Sequence, residues 1–149
     1  MRVRVLALVM FVAACASSHR GEPVARPDDT RLKVGLRLGR SHERPLRDGA
    51  SAGLARMPFA VLLPSSQGGE VELQLDVARV AVVGYETVCG LKILVMRLPQ
   101  RDLVGMAEGN ARAGGTHAQA ANDCLSQLGE SLISGKVRPL LQQLHQDRR

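Results

Sequence analysis

The sequence predicts an α+β fold: a mostly antiparallel sheet of four or five strands with C-terminal amphipathic helices packed on one face. Three observations carry this. Apolar and polar residues alternate with period two in stretches between Leu32 and Ala113, and short turn-like connections separate those stretches. From Thr116 onward the apolar spacing changes to that of a helix.

Residues 16–30 lack apolar periodicity and contain Pro23 and Pro27, so they read as a tether with a reach of roughly 20 Å. In Arg31–Gly39, Leu32, Val34, Leu36 and Leu38 interleave with Arg31, Lys33 and Arg37, a strand with one apolar and one basic face. The basic face would protect an edge strand from unwanted pairing. Residues 40–56, rich in Arg, Gly, Ser and Ala, read as a loop. Phe59–Leu63, bracketed by Pro58 and Pro64, is uniformly apolar and reads as a strand covered on both faces.

Beyond the turn-like Ser65–Gly69, alternation from Val71 and an apolar run to Val83 predict a long half-buried strand. Gly84-Tyr85-Glu86 reverses the chain into a strand over Val88–Met96, and Pro99–Asp102 reverses it into one over roughly Leu103–Ala113. Connections this short predict an antiparallel meander. Gly105, Ala107, Gly109, Ala111 and Ala113 fall on one face of the last strand, a small-residue stripe against which the C-terminal helix is expected to lie. Thr116 and Gln119 have capping-box spacing. Ala121, Cys124, Leu125, Leu128 and Leu132 follow at helical spacing, with Gly135 expected to end that helix and Pro139 to open a second carrying Leu140, Leu141 and Leu144.

The N-terminus addresses the protein. Arg2 and Arg4 precede the uncharged run Val5–Ala14, too short to span a bilayer but suited to a signal-peptide core. It ends in Val12-Ala13-Ala14-Cys15, which resembles the lipobox of bacterial lipoproteins. That resemblance implies removal of residues 1–14, a diacylglycerol on Cys15, N-acylation (palmitate), and sorting to the outer membrane given the small neutral Ala16. Ala14-Cys15-Ala16 also fits an ordinary secretory cleavage site with a soluble product. The organisation expected is a signal peptide over 1–14, a lipidated Cys15 and flexible tether over 15–30, and one periplasmic α+β domain over 31–149 with its compact core at about 57–146.

Charge is uneven. Residues 16–56 hold nine basic against five acidic residues, whereas residues 57–149 hold nine of each. The basic segment 31–56 suits either anionic lipid and cell-wall polymer or plain solvation. Nucleic acid is disfavoured, because the chain is exported and residues 15–149 offer only Phe59 and Tyr85 as stacking surfaces. Once Cys15 is lipidated, Cys89 and Cys124 form an even pair in an oxidising compartment. A bridge between them would close a loop of roughly 35 residues and stabilise by about 3–4 kcal/mol; two buried thiols are the alternative.

No catalytic constellation is evident. Gly109–Thr116 imitates a phosphate-binding loop, but Gly115 stands where the lysine is needed. His19, His42, His117 and His145 lack metal-ligand spacing, so neither metal nor cofactor is expected. Glu70 and Glu72 share a strand face without an evident cleft.

The expectation is a non-enzymatic, outer-membrane-anchored lipoprotein that assists a larger envelope assembly by binding it. Its partners are the membrane, through the N-terminal lipid, and an envelope protein. Docking is expected by strand addition, on the basic strand bearing Arg31, Lys33 and Arg37 or on the small-residue strand edge. Alternatives are a binding module for a lipidic or small ligand held between sheet and helix, or an attachment protein using segment 31–56 on cell wall. The order from Leu91 to Leu144 loosely resembles the ends of accessory envelope-assembly lipoproteins.

Overall fold

The computed structural model describes residues 30–65 and 67–149. Five strands, β1 (Leu32–Leu38), β2 (Ala60–Leu62), β3 (Val71–Val83), β4 (Glu86–Arg97) and β5 (Asp102–Gly114), form one sheet in the order β2-β1-β3-β4-β5. Helices α1 (Glu43–Ala55), α2 (Ala118–Leu132) and α3 (Arg138–Gln146) complete the fold. The expected α+β class is observed, with β3, β4 and β5 as the antiparallel meander.

Three local expectations are corrected. First, β1 is not an edge: it runs parallel to both β2 and β3 and lies between them. Second, Ala60–Leu62 is a three-residue edge strand rather than a fully covered one. Third, most of the stretch read as loop is α1. Leu46, Ala50 and Leu54 recur at four-residue spacing and are buried in the core. Pro45 and two glycines mask that pattern because they are poor helix formers. The glycines are there for contact. A Cβ on Gly49 would collide with the backbone oxygen of Ser126 in α2, and one on Gly53 would meet the Ile133 side chain at 2.8 Å. The two helices thus touch backbone to backbone. A parallel β1-α1-β2 crossover is the result.

The core lies between the helices and one sheet face, built from Val34, Leu73, Leu75, Leu91, Ile93 and Val95 against Leu46, Leu125, Leu128 and Leu141. The small-residue stripe of β5 does what its composition predicts. Cβ positions at Gly109 and Gly105 are taken by Leu132 and Leu140, so the C-terminal helices settle directly on the strand. Along β5, the space between sheet and helix that the lipidic-ligand alternative invokes is occupied by these side chains.

The N-cap of α2 is His117 rather than Thr116: its Nδ1 accepts from Ala120 N at 3.1 Å. Gly135 does not end the helix, since a π-helical turn over Ile133–Val137 carries α2 into α3, with Pro139 tolerated in the first turn. No helix among the described residues is long and apolar enough to cross a membrane.

Candidate docking site

The sheet is not uniform along β3. Pairing with β1 stops at Leu38↔Leu75, while β3 runs on to Val83. The irregularity between Val77 and Arg79 is a β-bulge in the ladder to β4. Beyond it, no strand among the described residues covers the β1 side of β3, so Ala78–Val83 is an open edge. The side chains on this arm are apolar yet exposed: Val80 by 37%, Val82 by 55%, Val83 by 50% and the turn residue Tyr85 by 92%. Together they account for four of the six large apolar side chains exposed among the described residues.

The arm is held in place. Gly84, at φ 64°, permits the tight reversal that a side chain would oppose. Gly115 N donates to Tyr85 O at 3.0 Å, and the buried Thr87 hydroxyl donates to Gly115 O at 2.8 Å. Arg112 pairs with Glu86 at 3.4 Å. Immediately inboard, Cys89 of β4 and Cys124 of α2 are joined as a disulfide, their Cα atoms 6.1 Å apart. A positioned apolar edge therefore projects from the packed part of the molecule. Alternation failed to reveal it, because the run after Val77 reads as continued burial. The available signal was the loss of polar partners in Val80-Ala81-Val82-Val83 just before a Gly-Tyr turn.

A second exposed patch lies on the face away from the helices. Cross-strand register puts Glu72, Met96 and Leu103 in one row and Gln74, Leu94 and Met106 in the next, with Leu103 61% and Met106 50% exposed. Glu72 is buried and pairs with Arg101 at 3.0 Å. At the end opposite the arm, Leu32, Val71, Leu98 and Leu144 floor an open cleft of about 270 Å³. Two ion pairs cross it, Arg148 with Glu70 at 3.0 Å and Arg97 with Asp147 at 3.7 Å. It falls below the usual size of a small-molecule site.

Of the residues singled out from sequence, Cys15 and His19 lie outside the described residues. Arg31 and Lys33 are partly exposed and Arg37 is exposed, but on an inner strand. β2 occupies the outer backbone side of β1 at Leu32–Val34, so strand addition is blocked over that part, and Arg37 lies beyond it. Glu70 accepts from Lys33 N at 2.9 Å, which helps align β1 with β3. His42 precedes α1 at φ 60°, His117 caps α2 and His145 lies against Phe59 with ring centroids 5.6 Å apart. These histidines are dispersed, and the described residues contain no group of three or more His, Cys, Asp or Glu suited to a metal ion.

The described residues thus present an unpaired apolar strand edge on an α+β scaffold. No family model matches the chain, and no curated protein matches its sequence. Its likeness to known proteins is structural. A Xanthomonas campestris protein of the DUF330 family matches with a TM-score of 0.54 at 13% identity, over 79% of this chain and 87% of its own. A PelC dodecamer from Paraburkholderia phytofirmans matches with a TM-score of 0.52 at 19% identity, over 75% of this chain and 88% of its own. A minor lipoprotein from Acinetobacter baumannii matches at 0.42 and 15% identity, over 78% of this chain and 92% of its own. The first two establish a shared fold.

Proposed function

We propose that this chain is an outer-membrane lipoprotein, anchored through lipid on Cys15, whose periplasmic domain binds a larger envelope complex without catalysing a reaction. The observation that carries the reading is the position of the arm. Residue 30 leads into β1 beside the start of β3, where Val34 pairs with Val71. The apolar arm is at the far end of that 13-residue strand, about 40 Å away at 3.3 Å per residue. A tether to the membrane at one end leaves the other end free to meet a partner. The dodecamer formed by the PelC protein of this fold is in keeping with an assembly role.

Strand addition is assigned to Ala78–Val83, with Val80, Val82 and Tyr85 supplying apolar contacts. Arg31, Lys33 and Arg37 are proposed as an auxiliary basic surface that acts through side chains. Cys15→Ser is expected to move the protein from the membrane to the soluble fraction. Cross-linking in intact cells and purification of the tagged full chain should recover one envelope protein in near-equal amount, and Val82→Lys should abolish its recovery. A partner retained by Val82→Lys would remove the arm from the reading.

A further inference from the structure

From the open edge of β5, the structure also assigns a self-recognition surface: we propose that two copies of this chain pair antiparallel through β5 about a two-fold axis at Asn110. Gly115 N donates to Tyr85 O, which puts Tyr85 and Gly115 in a hydrogen-bonded pair. By alternation, the odd residues of β5 bond to β4. The N–H and C=O groups of Met106, Glu108, Asn110 and Arg112 then point to the open side. Glu108 O accepts from the Lys136 ammonium at 2.7 Å, in keeping with a carbonyl that is not committed to β4.

An isologous antiparallel pair needs a strand that complements its own reversal. Glu108-Gly109-Asn110-Ala111-Arg112 meets this requirement. Centring on Asn110 sets Asn110 opposite itself and Glu108 opposite Arg112 of the second copy, twice over, all in residues whose backbone groups face outward. Side chains of opposite charge directly across a ladder attract, whereas moving the two-fold axis by two residues, a register shift of four, sets Glu108 or Arg112 against its own copy. Lys136 is no obstacle, since a carbonyl oxygen accepts two hydrogen bonds. The arm of β3 lacks this symmetry, having Arg79 as its one charge.

The helix layer fits as well. On the helix side, Gly109 meets Ala111 of the second copy and Ala107 meets Ala113, so the strands themselves place no bulky side chain at the seam. α2 lies over β4 and β5 alike. Its axis is then about half a strand spacing inside β5, and the two α2 helices come to lie about 10 Å apart, a normal helix-packing distance.

The test uses the full chain in membranes. Asn110→Cys is expected to yield a disulfide-linked dimer on mild oxidation, because facing residues of a hydrogen-bonded pair lie about 5.5 Å apart. Met106→Cys, displaced from its own copy by eight ladder positions, is expected to stay monomeric. The unsubstituted chain, with Cys89 and Cys124 already bridged, reports any background from Cys15. Glu108→Arg or Arg112→Glu alone should lower the dimer fraction about tenfold, and the combined Glu108→Arg/Arg112→Glu chain should restore it. The inference is overturned if Asn110→Cys gives no dimer, if Met106→Cys cross-links equally, or if the double exchange fails to restore pairing.

Discussion

The two halves of β3 belong to one strand but obey opposite rules. From Val71 to Leu75 it is flanked by β1 and β4 and packed against the helices, and Leu73 and Leu75 are fully buried. From Ala78 to Val83 it keeps β4, loses β1, and exposes residues just as apolar. Burial thus follows from what covers a strand, not from its composition. The inner half is there for stability, and the outer half carries apolar surface that nothing among the described residues covers.

That contrast can be broken at measured cost. The largest effect is expected in the inner half: Leu75→Ala should destabilise by about 2–5 kcal/mol in denaturant unfolding, with partner binding lost only as the fold is lost. At the boundary, Cys89→Ser/Cys124→Ser should cost about 3–4 kcal/mol by the same measurement and loosen the arm. Amide exchange at Thr87 and Val88 should then rise more than in β1. Gly49→Ala drives a Cβ into the Ser126 carbonyl and should cost about 1–3 kcal/mol, lowering the melting temperature without touching the arm. In the outer half, Val82→Lys should change stability by no more than about 0.5 kcal/mol while partner recovery falls to background. The smallest effect is expected from Arg31, Lys33 and Arg37 replaced by Gln: unchanged folding and partly weakened retention in salt-dependent pull-down.

The elements differed in how well the sequence displayed them. β3, β4, β5 and the final helices were readable because a half-buried element leaves its period in the chain, and β5 also announced its small-residue face. α1 was hidden by Gly49 and Gly53, residues chosen for a backbone contact that exists only once α2 is in place. The inner position of β1 was unreadable for a related reason. Its alternation marks a covered face and an open face, and both survive whether or not its edges are paired. The arm was half legible: its strand was evident, but its exposure depends on where β1 stops, which no residue of β3 encodes.

The outer half of β3 is the surface proposed to meet an envelope partner. The most direct test is site-specific photo-cross-linking in intact cells, with the probe placed at Val82 on the arm or at exposed Asp48 on α1. The expected result is a discrete adduct between the Val82 probe and one envelope protein, with none from Asp48. No adduct from Val82, or the same adducts from both positions, would contradict the claim.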